Sequence, residues 1–120
     1  LYGIKVLIMQ ADVNAGADNE AVVNKVVEET VKEFGGIDVL INNAQASASG
    51  VSIADHTTEQ FNLAMYSGLY AAFYYMKACY PYLAKSKGSV INLHQVQVCL
   101  EIMDSAHTQQ QKKVSVAYLV

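Results

Sequence analysis

The chain has 120 residues, 52% apolar and 16% charged, with a formal net charge of −3, the composition of one ordinary globular domain. That charge gives no electrostatic reason to bind nucleic acid or an anionic membrane, and no apolar run approaches the ~20 residues that span a bilayer. Cys79 and Cys99 form no CxxC pair, which favours free thiols in a reducing cytoplasm. No basic leader precedes the first apolar run, so no signal peptide is expected.

Residues 4–9 (Ile-Lys-Val-Leu-Ile-Met) read as a buried strand that ends near Asp12 and Val13. Asp18 is a good helix N-cap, with Glu20 favourably placed in the first turn. Val22, Val23, Val26, Val27, Thr30, Val31 and Phe34 then recur at helical spacing, and Gly35-Gly36 ends the helix. Residues 37–41 (Ile-Asp-Val-Leu-Ile) follow at once as an apolar run that stops in two amides. A buried parallel strand does this when it delivers polar groups to a ligand crevice. The expected unit is a right-handed strand-helix-strand crossover.

Residues 45–54 form a small, Ser/Ala/Gly-rich loop that suits the substrate or cofactor side of a site, or a plain connection. Thr57 and Gln60 make a capping box. A long helix is predicted from Glu59 to about Tyr80, where Pro81 stops or bends it. Its aromatics, Phe61, Tyr66, Tyr70, Phe73, Tyr74, Tyr75 and Tyr80, are spread around the axis. Burial on more than one face follows, by core packing alone or with a partner. Lys85 to Gly88 read as a turn, and residues 88–92 as a third strand. No metal-ligand cluster is read.

A dinucleotide-binding fold begins with a strand, a Gly-rich turn and a helix whose N-terminus holds the pyrophosphate. The seven glycines of this chain nowhere approach that spacing. On this reading the first strand-helix-strand unit is missing.

The three strand ends, at Asp12-Val13, Asn42-Asn43-Ala44 and Asn92, resemble the middle of a short-chain dehydrogenase/reductase, over roughly residues 4–93. The resemblance implies an α/β fold, a fragment of a Rossmann-type three-layer α/β/α architecture with a mostly parallel sheet. Residues 1–93 would be the central part of that domain and 94–120 a tail unlike it. It also implies NAD or NADP as the cofactor of an intact relative, and hydride transfer to or from a carbonyl, hydroxyl or activated alkene of a small-molecule substrate. Asp12 and Val13 match the adenine contact. Asn42-Asn43-Ala44 match three of the four positions of the Asn-Asn-Ala-Gly signature. Its first amide ties neighbouring strands, and the remainder passes the backbone close to the nicotinamide ribose. Gln45 stands where glycine is usual. Asp12, Val13, Asn43, Ala44 and Gln45 are therefore the candidate cofactor-binding residues, although Gln45 and the missing phosphate loop count against binding by this chain. The relay asparagine of the long helix falls near Ser67-Gly68 and is absent, while Asn62 is expected at the helix surface. The serine, tyrosine and lysine of catalysis fall at Gln95, His107 and Gln111, so the chain itself is expected to be catalytically inactive. A homo-oligomer through helix 59–80 is implied as well. A non-catalytic assembly module pairing through that helix is the alternative; a flavodoxin-like domain lacks its phosphate loop.

Residues 94–120 share no composition with a substrate-binding segment. A one-base shift of reading frame from Leu93 accounts for this. With a permitted codon choice, the hidden frame yields a Ser followed by Tyr-x-x-x-Lys at family spacing, and Gln109-Gln110-Gln111 become Ala-Ala-Lys. In the family's strand order, the strands between 4–9 and 37–41 are missing. The first must then close on the second or stay unpaired, which predicts a marginal, aggregation-prone fold. The charge-free, β-prone Val114 to Val120 adds to that hazard.

Overall fold

The helix α1, Asn19–Phe34, carries Glu20 in its first turn and Lys32 in its last, as the helix dipole favours. The computed structural model describes residues 3–12, 19–48, 50–95 and 115–119, and for 94, 95 and 115–119 the backbone. Val23 and Val27 are the fully buried residues of the expected apolar face, with Val31 packed beside them. Gly35 closes the helix at φ 84°, its N–H donating to the Val31 carbonyl at 2.7 Å. Glycine takes this left-handed position without the steric cost other residues meet. The Asp18 cap lies outside the described residues.

Strand β1, Val39–Asn42, starts two residues later than the apolar run suggested. The capping box is as read: Thr57 accepts from Gln60 N–H and the Gln60 side chain accepts from Thr57 N–H. From there α2, Thr58–Ala64, passes through a π-helical stretch, Met65–Tyr70, into α3, Ala71–Ser86. Of the two effects expected of Pro81, a stop or a bend, the stop is overturned. Proline removes one N–H from the ladder, but Cys79 and Leu83, on either side of it, are both buried in the core. Ser86 Oγ also donates to the Ile37 carbonyl at 2.9 Å, fastening the last turn to the start of β1. The helix stops at Lys87, which holds a left-handed φ of 55°.

Strand β2, Ser89–Gln95, pairs in parallel with β1, with Val39 opposite Ser89 and Asn42 opposite Asn92. Gly88 is required at this junction: a Cβ there would stand 2.2 Å from the Asp38 carbonyl oxygen. Strand β3, Ser115–Leu119, lies antiparallel on the far side of β2, Gln95 opposite Ser115, so the order is β1-β2-β3. The core is a sandwich of α1 on α3 and α3 on the parallel pair: Val23, Val27, Cys79 and Leu83, ringed by Val31, Ile37, Leu40, Tyr74, Tyr75, Tyr82 and Val90.

Two expectations need correction. Residues 4–9 form no strand ladder, and Ile4, Val6 and Ile8 are 72%, 71% and 89% exposed. Of the two arrangements open to this segment, it takes the unpaired one. Residues 4–9 are apolar enough for a strand, but a strand is stable only when its backbone finds a partner. Core packing alone also does not bury the aromatic helix on every face, since Phe61, Tyr70, Phe73 and Tyr80 are exposed in the single chain.

Candidate functional site

The carboxyl ends of β1 and β2 lie side by side, the place where open parallel sheets bind ligands. Register sets Asn42 opposite Asn92, and Asn42 Nδ2 donates to Asn92 Oδ1 at 2.7 Å. This amide pair ties the two strands through their side chains, the role expected of the first amide. Asn92 in turn directs its Nδ2 at the sulfur of Met76, 3.9 Å away, a weak contact from sheet to helix.

Beyond Asn42 the chain leaves the sheet. Asn43 and Ala44 are exposed and Gln45 is half-buried. The next residue is anchored: Ala46 N–H donates to Ser67 Oγ at 2.9 Å, and Ser67 is 1% exposed inside the π-helical stretch. The Gln45 side chain lies against Gly68, where a Cβ would come 3.3 Å from Gln45 Nε2. Ser67 and Gly68, identified from sequence only as the place of a lost relay asparagine, therefore seat the loop. The signal for this was a small residue pair inside a helix otherwise rich in aromatics.

These groups enclose a cavity of about 270 Å³. Its polar lining is Asn42, Asn43, Gln45, Ser67, Tyr75 and Asn92, and its apolar lining includes Met9, Leu40, Ala71 and Leu93. Among the described residues no charged side chain lines it. Burial raises the Tyr75 hydroxyl above its ordinary pKa, with the neighbouring Cys79 adding to the effect. That tyrosine is neutral at physiological pH. The Cys79 thiol is pushed up by burial too, which makes it an inert core group.

Asn43, Ala44 and Gln45 are thus brought to one cavity, which Met9 and Ala11 also line. Asp12 is exposed and does not line it. Gln95 lies at the end of β2. Val13, Cys99, His107 and Gln111 lie outside the described residues. Among the described residues there is no group of three metal-ligating side chains, and no helix is long and apolar enough to cross a membrane.

A family model described as enoyl-(acyl carrier protein) reductase matches residues 2–119. A 12alpha-hydroxysteroid dehydrogenase of Clostridium sp. (strain ATCC 29733 / VPI C48-50) is 56% identical over 92 residues, 77% of this chain. The chain spans only 36% of that relative. Among solved structures, ElxO with NADP bound is 30% identical with a TM-score of 0.61, covering 70% of this chain and 33% of its own. A metagenomic short-chain oxidoreductase in complex with NADP shares the fold, at 20% identity and a TM-score of 0.65 over 75% of this chain and 39% of its own. Matched along nearly its whole length and folded as an α/β unit of Rossmann type, the chain belongs to the short-chain dehydrogenase/reductase family.

Proposed function

We propose that this chain is the cofactor-side centre of an NAD(P)-dependent oxidoreductase acting on a secondary alcohol or ketone, and that by itself it turns over nothing. The observation that carries the reading is the Asn42–Asn92 amide pair, beside a cavity whose rim is Asn43-Ala44-Gln45. A steroid hydroxyl is the substrate class favoured by the 56% identity to a hydroxysteroid dehydrogenase.

The cavity fits only part of such a cofactor. At about 270 Å³ it lies just below the ~300–1,000 Å³ typical of ligand pockets. Its amides and hydroxyls suit a neutral carboxamide and ribose. A pyrophosphate needs cations or an open helix N-terminus, and among the described residues no charged group lines the cavity. The Gln45 side chain also occupies space on Gly68 that a glycine at position 45 would leave clear. Asn43, Ala44 and Gln45 would hold the nicotinamide end of the cofactor; the Asp12 and Val13 adenine contact remains part of the proposal. The bound cofactor would supply or accept hydride, and nothing at Gln95, His107 or Gln111 replaces the proton-transferring set.

The break near residue 93 belongs to the same proposal. The alignment to the hydroxysteroid dehydrogenase covers 92 residues of the chain, and the family match extends to residue 119. A cytoplasmic location is proposed from the unrelated contexts of the two cysteines. The test is an assay of the purified chain beside a version restored by one base near codon 93 and carrying a family strand, Gly-rich turn and helix ahead of residue 1. Cofactor-dependent oxidation of hydroxysteroids by the restored protein alone supports the reading, and turnover by the chain as it stands refutes it.

A second reading, a non-catalytic module assembling through helix 59–80, is favoured by a specific surface. Tyr66, Tyr70 and Tyr74 follow one another along the helix with tilted rings whose centroids are 5.3 and 6.3 Å apart, and exposed Phe73 joins Tyr74 at 5.5 Å. A soluble dimer lost on changing Tyr70 and Phe73 would support it.

A further inference from the structure

We propose that Ser67 is a positioning residue of the cofactor site, holding residues 43–45 in the conformation that receives the nicotinamide end. The inference rests on the cofactor reading above and deepens it. Asn43, Ala44 and Gln45 follow the last residue of β1, and Asn43 and Ala44 are exposed. Packing therefore contributes little to their order. Side-chain hydrogen bonds fix them at both ends instead. Before them, Asn42 Nδ2 donates to Asn92 Oδ1 at 2.7 Å, which ties that end to β2. After them, Ala46 N–H donates to Ser67 Oγ at 2.9 Å, which ties the other end to the helix. The three residues form a bridge from sheet to helix, and both of its anchors lie within residues 42–92.

A serine inside a helix commonly bonds the carbonyl four residues back, a purely local role. Ser67 has that carbonyl in reach, Leu63 at 2.7 Å. Ala46, 21 residues away in sequence, adds both its N–H and its carbonyl, the latter at 3.0 Å. Ser67 lies within the π-helical stretch Met65–Tyr70, which closes where Ala71 N–H donates to the Tyr66 carbonyl. It is 1% exposed, so water is poorly placed to replace the bond. Gly68 follows it, and the absence of a Cβ there lets the Gln45 side chain settle against the helix. With the hydroxyl in place, the bridge is ordered when the chain folds. Without it, a ligand that needs residues 43–45 in one conformation meets the ordering cost on binding. One net hydrogen bond corresponds to about five- to tenfold in an equilibrium constant, and the loss falls on affinity rather than on kcat.

Two measurements test this. In the chain as it stands, backbone NMR order parameters of Asn43, Ala44 and Gln45 should fall in Ser67→Ala and recover in Ser67→Thr, which keeps a hydroxyl. In the restored and extended version, Ser67→Ala should raise the cofactor KM by about five- to tenfold. The dissociation constant of the reduced cofactor, read from its fluorescence, should rise equally, with kcat much less changed and Ser67→Thr recovering both. If Ser67→Ala does not fold, Ser67→Cys, with a weaker hydrogen-bonding atom, should show the same losses in smaller measure. A lowered denaturant midpoint with unchanged order at 43–45 and unchanged affinity marks a purely structural serine and overturns the inference. A restored protein that binds no cofactor before any substitution overturns the cofactor reading and the inference together. Equal affinity in that protein and its Ser67→Ala variant overturns the inference alone.

Discussion

Ser67 Oγ accepts the Ala46 N–H at 2.9 Å, and its single proton has two carbonyls in reach, Leu63 at 2.7 Å and Ala46 at 3.0 Å. One hydroxyl thus joins the cavity loop to the helix at the point where that helix widens into its π-helical stretch. Such bulges recur at functional sites because they re-aim the groups around them. Here the re-aimed group is a tether for the segment that follows Asn43 and Ala44.

Replacing Ser67 by Ala should cost about 1 kcal/mol, since the half-buried Ala46 N–H loses the partner that buried Ser67 supplies. Amide exchange at Ala46 should accelerate by more than the global loss of stability explains. Equal acceleration everywhere would mean that the bond adds nothing local.

Neighbouring positions 87 and 88 should respond with opposite signs. Lys87→Gly relieves a left-handed backbone and should stabilise by roughly 1 kcal/mol. Gly88→Ala drives a methyl into the Asp38 carbonyl oxygen, which Ser89 N–H also uses, and should destabilise by ~3 kcal/mol or prevent folding. Denaturant midpoints of the two variants decide the matter.

Much of this was legible before the structure, and the reason is local. The valine spacing of α1, the Thr57–Gln60 box and the glycine after Phe34 act through residues a few positions apart, where short-range rules hold. The Asn42–Asn92 pair was accessible through the strand ends. The course of α3 past Pro81 was not, because burial of Leu83 and the Ser86–Ile37 bond are tertiary effects that outweigh one missing N–H. Residues 4–9 misled for the same reason in reverse: apolar composition marks a strand, but pairing makes one. The Ser67 tether left no trace beyond a small residue in an aromatic helix.

Gly68→Ala should be tolerated. The added methyl meets only the flexible amide end of Gln45, at 3.3 Å, and alanine is favoured over glycine in a helix by ~1 kcal/mol. Combined with Gln45→Gly the gain should be larger than the sum of the single effects, since the methyl then enters cleared space. Additivity in the four-variant cycle would show that the two residues do not press on each other.

The Lys5–Glu33 pair predicts an acid-sensitive anchor. A hydrogen bond from Lys5, followed by its charge, holds the Glu33 carboxyl below the usual glutamate range. The folded value lies under the unfolded value of about 4.3, so this contribution is present above that pH and is lost as pH falls through the folded value. A carboxyl titration of Glu33 should give a low midpoint that returns to the ordinary range in Lys5→Ala. The pair is exposed, and salt should weaken it.

The most direct test of the central claim is to sequence the DNA that encodes residues 88–120, with several hundred bases on either side. A short-chain oxidoreductase displaced in frame predicts codons that, with one base restored near position 93, read Ser and then Tyr-x-x-x-Lys and continue into further sheet. Codons that forbid that frame would contradict the account and make the tail a genuine part of a protein that works without the family's catalytic set.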